Sequence, residues 1–163
     1  MKRILAVAVS LFLTWFSGAA LAQGTPFASF QQDPDAPVEI ESDALEFDQN
    51  GGEVLFIGNV QIVQGDLTLS ADRVLVSYAD GPLGTDVTRM QASGDVRLVS
   101  PSERIEGAQA DYDIAAGTLT VTGGVLLVQG QNALSAERAD IDLEGGTGAF
   151  AGRVRSVFVP EEE

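Results

Sequence analysis

The chain has 163 residues, 24 of them acidic against nine basic, with no histidine and no cysteine, and a net charge of −15. That balance excludes the clustered basic surface that nucleic acid needs and the basic segments drawn to anionic membranes. Without imidazole or thiol there is no His-based acid–base chemistry, no thiolate nucleophile, no disulfide framework and no usual zinc or iron ligand set. No motif asks for a cofactor.

Residues 1–22 read as a secretory signal peptide. Lys2 and Arg3 precede an apolar run from Ile4 to about Phe16, and Ala20-Leu21-Ala22 forms a small-x-small cleavage box. The alternative is an uncleaved membrane anchor, because 4–22 approaches the length that spans a bilayer; the weakly apolar Ser17-Gly18-Ala19-Ala20 favours cleavage. The mature chain of 141 residues then carries seven arginines, no lysine and all 24 acids. It is long enough for one domain with a sizeable core. Residues 23–37 hold Gly24, Pro26, Pro34, Asp35 and Pro37 with little periodicity, so a flexible lead-in is expected there.

From Val38 two kinds of segment alternate. The first occupies 40–47, 69–76, 105–112 and 134–141, each with a small residue third: Ser42, Ala71, Gly107 and Ala136. Within it the inward phase breaks, since Leu69 and Ala71 share one parity and Val74 and Val76 the other. An extra residue is therefore expected at Asp72-Arg73, and at the matching pairs, as a bulge or corner. The second kind occupies 54–62, 90–98, 119–127 and, more weakly, 148–156, with unbroken period two. Its glycines Gly58, Gly94, Gly123 and Gly152 fall at one position expected to face inward, at a bend or a close backbone approach.

The spacing defines a unit of 29 residues, about four of them, with a seven-residue insertion around 80–86. Turn signals such as Asn50-Gly51, Gly81-Pro82, Gly117, Glu144-Gly145, Gly65, Pro101 and Gly130 punctuate the junctions. Pro160 stops the strands, and 161–163 is an acidic tail. The fold class expected over 38–160 is all-β, a twisted, solenoid-like stack of short antiparallel strands.

Asp43, Asp72 and Glu137 recur at one position of the unit, with Ala108 in the third copy. A catalytic carboxylate needs a partner in a cleft, whereas one repeated at strand corners caps turns or faces solvent, so no enzyme is expected. The Gly-Gly/acid turns lack the nine-residue period of calcium-binding β-rolls. What remains is the inward set: Ile40, Phe56, Val60, Leu69, Val76, Val96, Leu98, Tyr112, Leu119, Val121 and Val125. Alternation of these with small residues fits either a packed core or an elongated apolar trough.

The runs Val38-Glu-Ile-Glu-Ser-Asp43, Phe56-Ile-Gly-Asn-Val60, Gln64-Gly65, Leu69-Ser-Ala-Asp-Arg-Val74, Ile105-Glu-Gly107 and Leu119-Thr-Val-Thr-Gly123 together resemble the periplasmic lipopolysaccharide-transport protein A family, the OstA-like domain. The resemblance covers nearly all of 38–160 and lies in the order and spacing of these runs. It implies a β-jellyroll that joins head to tail into a bridge carrying lipopolysaccharide from inner to outer membrane, through partners in both. It implies that several of the inward residues, with Val38 beside them, contact acyl chains. It further implies that the terminal strands, marked by Val38 and Ile40 at one end and Val154, Val157 and Val159 at the other, are assembly edges. The N-terminal edge would face the inner-membrane partner. A membrane-anchored member of the same pathway, or a structural β-repeat without lipid, are the alternatives.

Overall fold

The computed structural model of the protein describes residues 27, 30, 36–48, 51–81, 84 and 86–160. The expected signal peptide and the acidic tail lie outside them. Period-two alternation puts one apolar face on each strand, and ten strands follow: β1 (Val38–Glu41), β2 (Ala44–Asp48), β3 (Glu53–Gln64), β4 (Leu67–Tyr78), β5 (Val87–Val99), β6 (Glu103–Asp113), β7 (Thr118–Gln129), β8 (Asn132–Asp142), β9 (Thr147–Ala151) and β10 (Arg155–Val157). They form one antiparallel sheet in the order β1-β3-β4-β5-β6-β7-β8-β10. Strand β2 continues β1 along the same edge of β3, and β9 precedes β10 along β8. The sheet is thus eight bent rows, and the six central ones run unbroken for 11 to 13 residues, longer than the short strands expected.

The phase break in β4 falls where the sequence puts it: Ala71 and Val74 are buried, while Asp72 and Arg73 between them are exposed. The surplus residue, however, belongs to the neighbouring strand. From Ile57 to Val60, β3 takes three steps while β4 takes two, from Arg73 to Ala71, and the same inequality recurs at Gly94-Asp95 and Gly123-Gly124. This corrects the placement of the bulge. Both residues of each surplus pair have positive φ, for example Gly58 at 79° with Asn59 at 46°, and Gly123 at 83° with Gly124 at 82°. Glycine adopts that region freely, and Asn or Asp more readily than other side chains.

Nor do Gly123 and Gly152 face inward as expected, since both are exposed, while Gly58 and Gly94 are half-buried. Each abuts the corner residue of the preceding row instead. A Cβ on Gly123 would lie 2.5 Å from the Ala108 Cβ. Asp43 and Glu137 use that closeness: their backbone amides donate to the carbonyls of Gly58 (2.9 Å) and Gly152 (3.0 Å), and the Asn59 side-chain amide donates to the Asp43 carboxylate at 2.8 Å. The recurring acids are corner pieces of alternate rows: Asp43 in the first, Asp72 in β4 and Glu137 in β8, with Ala108 at that place in β6.

The aligned corners fold the sheet into two arms whose inner faces meet. One buried cluster joins Val54, Phe56, Val60, Ile62, Ala71, Val74, Val76, Ala92 and Val96; a second joins Leu67, Ile105, Leu119, Val121, Val125, Ala139, Ile141 and Leu143. Phe27 and Phe30 are buried in the second cluster, although 23–37 reads as a loose lead-in. Outside, cross-strand polar pairs cover the arms, Arg97 with Glu106 (2.9 Å), Arg89 with Asp111 (2.5 Å) and Thr120 with Asp140 (2.8 Å), and Arg138 pairs with Asp140 along β8. Exposed pairs of this kind add little stability, but they place charge outside and leave the interior apolar.

Candidate functional site: an apolar cavity between the arms

Close to the bend, small inward residues such as Ala71, Ala136 and Ala139 let the arms approach until no space remains, and all three are buried. The small residues therefore close the corner rather than hollow the wall, which corrects the reason given for a trough. Away from the bend the arms diverge, and a cavity of about 360 Å³ opens between them. Ile40, Ile62, Leu67, Leu69 and Leu98 come from one arm; Val76, Val87, Met90, Tyr112 and Leu119 come from the other. Its size is within the range of small-molecule sites, about 300–1,000 Å³.

Among the described residues the lining contains no charged side chain; its polar side chains are Gln64, Tyr78 and Tyr112. Burial pushes the Tyr78 hydroxyl above its ordinary value. Burial, and secondarily the nearby Glu144 carboxylate, does the same at Tyr112. Both phenols are thus held neutral, as a low-dielectric wall requires. The insertion at 80–86 contributes Gly84 to the lining, and its base is closed by the Ala79 amide donating to the Asp86 carbonyl at 2.9 Å.

Of the twelve lipid-contact candidates, seven line the cavity: Val38, Ile40, Leu69, Val76, Leu98, Tyr112 and Leu119. Val38 stands at the rim, 54% exposed rather than inward. The other five, Phe56, Val60, Val96, Val121 and Val125, are buried in the closed region by the bend. Sequence reasoning missed Phe30, Leu67, Tyr78, Ile114 and Leu143, which also line the space. Leu67 and Tyr78 are the end residues of β4, while Ile114 and Leu143 sit in the turns after β6 and β8, beyond the alternating segments that carried the inward signal.

The edge candidates occupy the two outermost rows. Among the described residues no strand pairs with the outer side of β1 and β2 or of β9 and β10. Val38, Leu45, Phe47, Val154, Val157, Phe158 and Val159 are exposed there, Phe158 to 73%. Ile40 is half-buried, shared between the first row and the cavity. Past β10 the chain stays beside β8, the Val159 amide donating to the Asn132 side chain at 3.0 Å.

Among the described residues these features define a class: an antiparallel β-jellyroll with an uncharged interior groove and outermost strands unpaired on their outer sides. Residues 39–147 match the family model described as LptA/(LptD N-terminal domain) LPS transport protein, and the chain belongs to that family. It is 32% identical over 112 residues to the uncharacterized protein R00383 of Rhizobium meliloti, spanning 64% of this chain and 60% of that one. It is 37% identical over 71 residues to the lipopolysaccharide export system protein LptA of Escherichia coli, spanning 44% of this chain and 38% of that one. In fold it matches LptH, described as the LptA-homologous periplasmic component of the lipopolysaccharide transport device of Pseudomonas aeruginosa, with a TM-score of 0.70. That match covers 80% of this chain and 100% of the other at 15% identity. No helix among the described residues is long and apolar enough to cross a membrane.

Proposed function

We propose that the mature chain is a periplasmic carrier that shields the acyl chains of lipopolysaccharide in the cavity between its arms while the anionic head stays in solvent. The observation that carries this reading is the uncharged cavity lying open between two arms otherwise closed on a packed core. Lipopolysaccharide joins hydrocarbon tails to an anionic head, and a chain of this net charge repels the head and admits only the tails. Burying a methylene gains about 0.8 kcal/mol, so a dozen-carbon tail gains on the order of 10 kcal/mol. A sealed pocket of that depth would release its cargo slowly; a groove open at its ends lets a tail slide onward without crossing water.

Assembly follows from the edges. Unpaired backbone groups on the first and last rows are templates for strand addition, and the exposed apolar side chains beside them supply contact area. Such a head-to-tail contact is heterologous and propagates, aligning the grooves of successive copies between the membrane partners. The N-terminal edge faces the inner-membrane component, and the C-terminal edge faces the next copy or the outer-membrane component. Mass spectrometry of material co-purifying with the mature protein tests the cargo. Lipopolysaccharide bound in near-stoichiometric amount is expected; a lipid-free protein that also fails to take up added lipid A defeats the reading.

A further inference from the structure

We infer that the internal repeat sets the register in which two copies join: the last row of one copy takes the first row of the next as the rows inside the sheet take one another, and Arg155 pairs with the next copy's Glu41 as Arg97 pairs with Glu106. The inference rests on the head-to-tail reading and adds to it a register and a charge pair. Eight antiparallel rows leave the last row opposite in direction to the first. A next copy stacked in the same orientation therefore presents its first row antiparallel to the last, as every internal neighbour is.

The register follows from the ladders that cross the sheet. On the outer face Gln61 stands opposite Glu41 on one side and Ser70 on the other, Arg97 stands opposite Ser70 and Glu106, and Arg155 stands opposite Ser135. The place beyond Arg155 belongs to the residue that Ser70 and Glu106 represent in their rows, and in the first row that residue is Glu41. Inside the sheet the same step already holds an ion pair, Arg97 to Glu106 at 2.9 Å. On the inner face one ladder begins at Leu45 and ends at Phe150, and the next begins at Phe47 and ends at Gly148. The same register sets Phe150 against the next copy's Leu45, and Gly148, with the Phe27 ring packed over it, against the next copy's Phe47. Leu45 and Phe47 are both exposed in the single copy, and this one placement covers both.

Charge selects the same partner. Residues 38–48 of the first row carry five acids and no base; residues 147–159 of the last carry Arg153 and Arg155 and no acid. Five of the mature chain's arginines have an acid partner, whereas Arg155, like Arg73, has none among the described residues. Two first rows brought together would set acid against acid, which is destabilising for residues directly opposite. An exposed pair adds little affinity by itself, but complementary charge fixes the register and opposes the wrong partner.

The test is sedimentation of the full mature chain at low ionic strength beside Arg155→Glu, Glu41→Arg and their equimolar mixture. Each variant alone sets like charges opposite at the junction, and its dissociation constant for self-association is expected to rise about tenfold or more. In the mixture the altered ends of the two variants meet, and so do their native ends, so association is expected to return to the wild-type level. Because the chain has no cysteine, an engineered pair reads the register separately. One residue on from Arg155, Ser156 falls opposite the next copy's Ile40. Directly opposite residues lie about 4.5–5.5 Å apart at Cα, within reach of a disulfide, and those two residues off lie about 7–8 Å apart, beyond it. Ser156→Cys/Ile40→Cys is expected to form covalent multimers on oxidation, and Ser156→Cys/Ser42→Cys to form few. Charge variants that associate like wild type, or a mixture that stays dissociated, overturn the charge pair; multimers formed as readily by the second cysteine pair overturn the register, and both leave head-to-tail joining standing. A wild-type chain that stays monomeric across the concentration series removes the head-to-tail reading and this inference with it.

Discussion

Replacing Ala92 with leucine separates cavity from core in one experiment. Ala92 is buried beside the bend yet lines the cavity, so a longer side chain has open space ahead of it. Three added carbons at about 0.8 kcal/mol each give about 2.4 kcal/mol of burial, less roughly 0.5–1 kcal/mol for ordering the leucine. The lipid-free protein should gain about 1.5–2 kcal/mol and melt about 3–6 °C higher. The same carbons take space from about three methylenes of a bound tail, costing about 2.4 kcal/mol, or about 50-fold in affinity. Ala71→Leu is the counterpart, in the closed region and away from the cavity. There overpacking costs about 1–3 kcal/mol, and the folded fraction should bind lipid as wild type does. Calorimetric melting with a lipid A titration reads both quantities. If Ala92→Leu melts lower than wild type, or binds lipid equally well, the space is not an acyl site.

Gly123→Ala should lose stability in urea by more than the roughly 1–2 kcal/mol of a positive-φ alanine, because its Cβ also meets Ala108; Gly124→Ala, with nothing within 4 Å, should lose only the backbone part, and equal losses would remove the close-approach argument. Val157→Pro, in the last row opposite Ala133, should suppress concentration-dependent association in sedimentation while leaving the central rows folded; association equal to wild type refutes edge pairing at that end. The mature chain's two tyrosines both line the cavity, so spectrophotometric titration should find both ionising above the ordinary value near 10 and higher still with lipid bound. Since a raised phenol favours the neutral form, the stability it contributes is complete below about pH 10 and is lost as pH rises through the raised value; normal ionisation unmoved by lipid would contradict the assignment.

The eight alternating segments of the sequence coincide with the eight bent rows, and the parity change between Ala71 and Val74 marks the corner. Which strand carries the surplus residue was not legible. Phe56, Gly58 and Val60 keep one parity because the bulged strand spends an even number of residues rounding the corner, whereas its partner spends an odd number and shows the break. Parity within one strand records a change of phase; the surplus is a property of the pair. Whether inward residues pack or line a cavity depends on how far the arms diverge, which side-chain alternation does not encode: Val96 and Leu98 share a phase, yet one closes the corner and the other faces open space. Phe27 and Phe30 lie in a stretch with no alternation to set a face, and only their burial against a distant strand gives them a role.

The central claim, that acyl chains occupy the diverging part of the groove, is tested most directly by photocrosslinking lipopolysaccharide to folded variants bearing a photoreactive side chain at three kinds of position. Leu69 and Leu98 line the cavity, Val60 and Val96 lie in the closed corner, and Glu41 and Arg97 face solvent. Capture at Leu69 and Leu98, with little at the other four, is the result this account predicts; labelling of comparable strength at all six, or capture strongest at the solvent-facing pair, would contradict it.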